Sequence, residues 1–142
     1  MDTNFDESVA QIVRRDGRYH ADAYEFVNAA VTYTVKKLAR DSKPRGARHI
    51  SAEELLAGAM DYAVTQFGFL AAAVIRQWGI LSGEDFGNIV YNMIDAHLLS
   101  ASKEDSQSDF LCRPFLADEL QQEIDAGLKQ SPPPDDPPVL DD

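Results

Sequence analysis

The stretch SAEELLAGAMDYAVTQFGFLAAAVIRQWGILSGEDFGNIVYNMIDAHLL, residues 51–99, decides the fold of this chain. It opens with a capping box, in which Ser51 caps the amide of Glu54 and the Glu54 side chain reaches back. Gly68 and Gly79 are placed to end two successive helices. After a second start signal, an apolar stripe repeats at helical spacing at Phe86, Ile89, Val90, Met93, Ile94, His97 and Leu98. The stretch therefore predicts three consecutive helices.

The expected bounds of these helices follow from the stop and start signals. The first ends at Gly68, the second covers Phe69 to Trp78, and the third covers Glu84 to Leu99. The start signal of the third is Ser82 to Asp85, where Glu84 and Asp85 suit the positive end of a helix dipole. Beside Gly68 and Gly79 we expect an aromatic cluster, which consists of Phe67, Phe69, Trp78 and Phe86.

The flanking sequence extends the helical pattern in both directions. Apolar spacing predicts a helix over Asn4 to Arg15 and a central, two-sided helix over His20 to Arg40. Pro114 suits the first turn of a last helix, whose apolar positions are Leu116, Leu120, Ile124 and Leu128. We expect one helical domain over residues 1–129. Residues 130–142 are rich in proline and aspartate and are expected to form a disordered acidic tail.

The predicted fold class is mainly α, a small single-domain helical bundle. A variant with a winged-helix-like β hairpin is kept open. Helices at Phe69 to Trp78 and Glu84 to Leu99, followed by a polar stretch ending at Phe110, follow the element order of a winged-helix domain. In that variant residues 99–112 form a β hairpin. The third helix then occupies the position of a recognition helix, yet no Lys or Arg lies between Gln77 and Ser102. We therefore expect no direct binding to duplex DNA.

Composition and charge restrict the classes of function further. The net charge is −11, of which residues 1–48 contribute +2 and residues 49–142 contribute −13. Because the chain is acidic, it repels nucleic acid and anionic membranes, so any such contact is limited to the N-terminal third. The first ten residues have no apolar region, and the longest apolar stretch, Phe67 to Ile75, is too short to span a bilayer. We expect a cytoplasmic protein with no membrane contact. Cys112 is the single cysteine, expected to pack beside Phe110 and Phe115.

Short motifs in fixed order resemble an uncharacterised conserved family described from planctomycetes and verrucomicrobia. The motifs that carry the resemblance are Arg48-His49-Ile50-Ser51, Glu54-Leu55, Gly58, Gln66-Phe67-Gly68, Trp78-Gly79-Ile80, Asp85-Phe86-Gly87-Asn88-Ile89-Val90, Asp105, Asp109-Phe110, Tyr24 to Val27 and Tyr33. They cover roughly residues 8 to 118. The resemblance implies a small globular protein of unknown function, with no catalytic residue to transfer.

A basic segment at residues 36–48 is the best candidate for binding. Six positive side chains and one acid, Asp41, fall within thirteen residues. The basic residues are Lys36, Lys37, Arg40, Lys43, Arg45 and Arg48, and His49 follows them. They suit a protein or ribonucleoprotein partner, because clustered cations bind carboxylates and phosphates. Alternatively, these side chains could stabilise the negative end of the helix dipole or contact the acidic half of the chain itself.

An enzyme is the alternative interpretation, and it is the less favoured one. Arg48 and His49 precede a helix start, where a side chain could bind an anion or transfer a proton, and Asp85 could join them in a pocket. The tripeptide Asp85-Phe86-Gly87 resembles the metal-binding motif of protein kinases, but the glycine-rich loop and the catalytic loop of kinases are missing. The chain has no zinc-ligand cluster or nucleotide-binding fingerprint, and we predict no metal and no cofactor.

Three functions follow from the sequence, in this order. The first is a non-enzymatic protein- or ribonucleoprotein-interaction module that uses the basic segment. The second is a small enzyme or ligand binder with a pocket near Arg48, His49 and Asp85. The third is a winged-helix-derived regulator that does not bind DNA directly. The oligomeric state and the identity of any partner are left open.

Overall fold

The capping residues seen in the sequence determine where the helices begin. The computed structural model describes residues 3–38, 50–100 and 106–130. Their α-helices are α1 (Thr3–Arg15), α2 (Ala21–Lys37), α3 (Ala52–Phe67), α4 (Ala71–Gln77), α5 (Gly83–Asp95) and α6 (Leu116–Gln130). Two 3₁₀ helices, Gly68–Leu70 and Gln107–Cys112, are also present, and no strand occurs in these ranges. The expectation of a mainly α fold is confirmed.

Both predicted capping signals form complete capping boxes. Ser51 Oγ accepts the Glu54 amide at 3.0 Å, and the Glu54 carboxylate accepts the Ser51 amide at 3.0 Å. At the start of α5, Ser82 Oγ accepts the Asp85 amide at 3.1 Å, and Asp85 Oδ2 accepts the Ser82 amide at 3.2 Å. Each box satisfies amides that the first helical turn would leave unbonded.

The central helix is α2, which packs against α1, α3 and α5. Its buried apolar residues are Ala23, Tyr24, Phe26, Val27 and Ala30, and Thr34 is its buried polar residue. The strand-forming residues Val31 to Val35 are helical because this packing outweighs their local preference. The core between the helices contains, among others, Tyr24, Val27, Leu56, Ile75, Phe86, Ile89, Met93 and Leu116.

Two turns between helices follow a common hydrogen-bonding pattern. After α4, the Gly79 amide donates to Arg76 and the Ile80 amide donates to Ile75, each at 2.9 Å, with Gly79 at a φ of 97°. After α5, the amides of His97 and Leu98 donate to Ile94 and Met93 in the same way. Both are Schellman motifs. The second places His97 at a φ of 63°, in the left-handed region.

The second Schellman motif corrects the expected length of α5. The helix ends at Asp95 and not at Leu99, because the backbone of His97 reverses the chain direction. His97 was expected to lie packed on the apolar stripe, but it is exposed. The sequence contains no glycine at this helix end, so nothing in it marked the stop.

The β hairpin expected at residues 99–112 is not supported. Gln107–Cys112 forms a 3₁₀ helix, because Ser106 and Asp109 build a capping box there and Phe110 turns into the core. Cys112 is exposed at the end of that helix, so its expected packing with Phe110 and Phe115 is also wrong. Residues 101–105 of the proposed hairpin lie outside the described ranges.

Other bounds differ by small amounts. α2 ends at Lys37, and His20 is its N-cap, with Nδ1 accepting the Asp22 amide at 3.0 Å. The helix expected from Phe69 begins at Ala71, because Gly68–Leu70 forms a separate 3₁₀ turn. Residues 131–142, expected to form the tail, lie outside the described ranges.

One described segment, Ala52–Gln77, is long and apolar enough to cross a membrane by length and composition. It joins α3, the 3₁₀ turn and α4, and so exceeds the apolar stretch Phe67 to Ile75 noted in the sequence. The core helix of a soluble protein meets the same criterion. α3 does contribute Leu56, Ala59 and Ala63 to the helical core, where each is fully buried.

Candidate functional site

The structure describes only the beginning of the basic segment. Lys36 and Lys37 lie exposed in the last turn of α2, which is the negative end of the helix dipole. The other members of the predicted site, Arg40, Lys43, Arg45, Arg48 and His49, lie outside the described residues. The basic segment as a whole therefore stays a prediction.

Lys37 already has an acidic partner on the neighbouring helix. Its Nζ lies 2.5 Å from Asp61 Oδ2 on α3 and 5.9 Å from the centre of the Tyr33 ring. The Tyr33 hydroxyl donates to the same oxygen of Asp61. The hydrogen bond from Lys37, followed by that from Tyr33, lowers the pKa of Asp61, and Asp61 raises the pKa of Lys37. Lys37 is therefore a paired cation.

This ion pair stands at the edge of a cleft of about 710 Å³. One wall is α3 and the other is α6, and these two helices are not among the closely packed helix pairs of the bundle. The apolar surface of the cleft is formed by Ala57, Met60, Val64, Phe69, Leu116, Leu120 and Ile124. We call this feature the α3–α6 cleft.

The apolar surface of the cleft is partly open to solvent. Val64 is 39% exposed and Phe69 is 67% exposed, whereas Leu116 and Leu120 are buried beneath them. Exposure of this kind at adjacent large apolar side chains is costly in water and is typical of surfaces that bind another molecule.

Polar groups line the edges of the cleft. Arg113 Nη1 lies 3.5 Å from Glu119 Oε1, and both side chains are about one-third exposed. Glu123 is exposed and makes no ion pair with another described residue. The cleft thus combines an apolar floor with a mixed charged rim.

Asp85, the third member of the alternative enzyme pocket, has a structural role. Its Oδ1 accepts the Tyr19 hydroxyl at 2.7 Å, and its Oδ2 accepts the Leu81 amide at 3.0 Å in addition to the capping contacts. Burial raises the pKa of Tyr19, so its hydroxyl stays a donor. Asp85 does not line the α3–α6 cleft. Arg48 and His49, its expected partners, lie outside the described residues.

Several of the residues that carried the family resemblance stabilise the fold. Ser51, Glu54 and Asp85 cap helices, and Phe86 is fully buried. Gly68, at a φ of 59°, ends α3. A Cβ on Gly87 would lie 2.9 Å from the Phe110 ring, and one on Gly79 would lie 2.6 Å from the Arg18 carbonyl oxygen.

The aromatic residues near Gly68 and Gly79 do not form the expected single cluster. The Trp78 ring centre lies 5.8 Å from that of Phe67 and 5.4 Å from that of Phe26 on α2. Phe86 instead packs on Phe110, at 6.0 Å, and Phe69 is exposed in the cleft. The predicted contact between Trp78 and Phe67 is correct, and those with Phe69 and Phe86 are wrong.

Sequence reasoning missed the α3–α6 cleft because its residues have the spacing of ordinary core positions. Leu116, Leu120 and Ile124 fit an amphipathic stripe, and Val64 lies one turn before the end of α3. The exposure of Phe69 and Leu70, beside Gly68, is evident only in the structure.

The described residues contain no group of three or more His, Cys, Asp or Glu side chains that could hold a metal ion. Comparison of the chain with protein-family models, with curated proteins and with solved structures finds no match. The resemblance to the planctomycete and verrucomicrobial family therefore stays a prediction. The α3–α6 cleft is the feature of the structure that bears on function.

Proposed function

We propose that the protein is a non-enzymatic interaction module that binds an amphipathic helix of a partner protein in the α3–α6 cleft. The observation that carries the proposal is an open apolar cleft between two helices that are not among the closely packed pairs of the bundle. A partner helix would bury Val64 and Phe69 and pack between α3 and α6.

The dimensions of the cleft suit a helix. On the α6 side the lining extends from Leu116 to Gly127, which is roughly 16 Å at 1.5 Å per residue. That length accommodates three turns, enough for apolar anchors at positions i, i+3 or i+4, and i+7 of the partner. Burial of such anchors, at about 25 cal/mol per Å² of apolar surface, supplies the main driving force.

The charges favour a protein over a nucleic acid as the partner. Phosphate binding requires cations without partners, whereas Lys37 and Arg113 are each paired with a carboxylate. Lys37 stands at one edge of the cleft, and the other basic residues follow it in the sequence, so we place acidic residues of the partner beyond that end of its helix. Glu123 would face a basic residue of the partner. We retain the cytoplasm as the proposed location.

Site-specific photo-cross-linking in the source organism tests this proposal. A photoreactive amino acid is placed at Val64 or Phe69 in the cleft, and at Leu81 or Leu111 as matched controls. The controls are 56% and 52% exposed and do not line the cleft. We expect the same partner protein from both cleft positions, with the cross-link on an amphipathic helix, and at least fivefold less product from the controls.

A cleft variant provides the second readout. Val64→Glu introduces a charge into the apolar floor, and we expect at least a fivefold loss of cross-linking from Phe69. Circular dichroism and thermal unfolding check that the variant is folded. Equal yields from the cleft and control positions, cross-links to RNA, or cross-links to a second copy of this chain would each contradict the proposal.

A further inference from the structure

A second hollow, separate from the α3–α6 cleft, lies where α2, α3 and the end of α4 meet. Its volume is about 300 Å³, and it shares no lining residue with the cleft. Four of its eight lining residues are aromatic, namely Phe26, Tyr62, Phe67 and Trp78. We call it the aromatic hollow. Phe26 is buried, while the other three rings are half-buried and keep surface open to solvent.

The four rings stand at different inclinations. Phe26 lies 5.7 Å from Tyr62 and 5.4 Å from Trp78, with interplanar angles of 35° and 48°. Phe67 meets Trp78 edge-on, at 78°. The rings therefore pack against one another at an angle and not as a flat stack. Together they place aromatic surface along the hollow.

Every charged side chain that lines the hollow is a carboxylate. Asp22 and Glu25 lie on the first turns of α2, and no Lys, Arg or His is part of the lining. Glu25 is exposed and forms no ion pair or hydrogen bond within the described part of the chain. The negative charge at this edge of the hollow is therefore available to a ligand.

His20 lies beside Asp22 at the start of α2. The two side chains approach to 3.5 Å, between Nδ1 and Oδ2. The same Nδ1 accepts the backbone amide of Asp22 at 3.0 Å. Nδ1 of His20 thus serves as the N-cap acceptor of α2.

We propose that the aromatic hollow binds an organic cation, specifically a methylated ammonium group. Such a group is held over aromatic faces by their quadrupoles, and nearby carboxylates add Coulomb attraction. Methyl groups fill apolar space that a bare ammonium, with its tightly held water, would not. The volume is at the small end for ligand sites, which suits a single head group. The group could belong to a free small molecule or to a methylated lysine of a protein.

Trp78 is the only tryptophan of the chain, so its fluorescence reports directly on the hollow. The purified full chain is titrated with choline and, separately, with its uncharged carbon isostere 3,3-dimethyl-1-butanol. We expect a saturable change in emission with choline and at least tenfold weaker binding of the isostere. Equal binding of the two, or no saturable change with choline or with a trimethyl-lysine peptide, overturns the proposal.

Two matched variants distinguish a specific effect of Glu25 from a general effect of the net charge of the chain. Glu25→Gln removes the available carboxylate and should weaken choline binding about fivefold. Glu7→Gln makes the same change on the exposed face of α1 and should leave binding unchanged. Thermal unfolding confirms that both are folded. If the two variants weaken binding equally, or if neither does, the proposal fails.

Peptides distinguish the two sources of the cation. A short peptide with one trimethyl-lysine is compared with the same peptide unmethylated, and with choline. Tighter binding of the trimethylated peptide than of choline assigns the hollow to a methylated protein, and the reverse order assigns it to a small molecule. Equal binding of the two peptides contradicts recognition of the methyl groups.

Discussion

Thr34 of α2 and Gly58 of α3 meet where the two helices cross, and the contact leaves no room for a side chain on Gly58. A Cβ built there would lie 2.0 Å from Thr34 Oγ1 and 2.8 Å from Thr34 Cβ. Thr34 is buried, and its hydroxyl donates to the Ala30 carbonyl at 2.7 Å. The hydroxyl is therefore fixed in place, and the distance between the two helices depends on the absence of a side chain at position 58.

Gly58→Ala is expected to destabilise the protein by about 2 kcal/mol, because the added methyl group forces the two central helices apart. Urea unfolding followed by circular dichroism measures the change. Gly127→Ala is the matched control, since Gly127 lies in α6 with nothing within 4 Å of an added Cβ. It should leave stability unchanged or raise it by up to about 1 kcal/mol. Equal effects of the two substitutions would contradict the close crossing.

Tyr19→Phe is expected to cost about 2 kcal/mol. The Tyr19 hydroxyl donates to Asp85 at 2.7 Å and accepts from Asn88 at 2.9 Å, so its removal leaves both groups short of a partner. Tyr24→Phe is the comparison, because the Tyr24 hydroxyl accepts a single bond, from Asn92 at 3.0 Å. We expect about 1 kcal/mol there, measured by chemical unfolding. A larger loss of stability in Tyr24→Phe than in Tyr19→Phe would contradict the larger contribution assigned to the Tyr19 hydroxyl.

Asp16→Asn should change how stability depends on pH. Hydrogen bonds from Arg18, foremost its side chain, and from Asn92 lower the pKa of Asp16 from its ordinary value of 3.8. A carboxyl whose folded pKa is lowered stabilises the protein above the unfolded value, and this stabilisation is lost as the pH falls below it. The wild type should be about 1 kcal/mol more stable than Asp16→Asn at pH 7, and the difference should shrink below about pH 4.

Unfolding of both proteins at a series of pH values tests this prediction. Asp95→Asn serves as the control, because Asp95 is exposed and has no ion pair within the described ranges. A difference between wild type and Asp16→Asn that stays constant down to about pH 2 would refute the role assigned to Asp16.

His97→Gly is expected to stabilise the protein by about 0.5–1 kcal/mol. His97 occupies the left-handed position of a Schellman motif at a φ of 63°, where glycine has no steric penalty. The side chain is exposed, so its removal sacrifices no buried contact. Thermal unfolding measures the gain. His97→Ala keeps the strain and should not stabilise, and a similar gain in both variants would point to the imidazole rather than the backbone.

The sequence was informative where one residue type at one position determines the local structure. Ser51 with Glu54 and Ser82 with Asp85 specify helix starts through side-chain contacts three residues apart, so their positions could be predicted. The stop at His97 could not, because a non-glycine residue takes the left-handed conformation only when the packing around it compensates for the strain. The same applies to residues 107–112, where burial of Phe110 decides between an extended and a 3₁₀ backbone.

The binding surfaces were harder to predict because they depend on pairs of distant segments. Val64 and Leu116 have the spacing of core residues, and only the separation of α3 from α6 leaves them facing an open cleft. Trp78 was correctly placed beside Phe67, eleven positions away, but its contact with Phe26 requires α2 to pack across the end of α4. For Lys37 the sequence left open a partner molecule, the helix end or the acidic half of the chain, and the fold brings Asp61 of that acidic half beside it.

The contacts that attach the first twenty residues to the bundle have a consequence for synthesis of the chain. The His20 amide donates to the Trp78 carbonyl, Tyr19 bonds to Asp85, and Asp16 bonds to Asn92, 76 positions away. On the ribosome, α1 emerges well before α5, and until α5 has left the exit tunnel it can pack only on α2. Its apolar face, with Val9 and Ile12, is therefore incompletely covered for that interval, and the nascent chain depends on later residues to complete the shielding of α1.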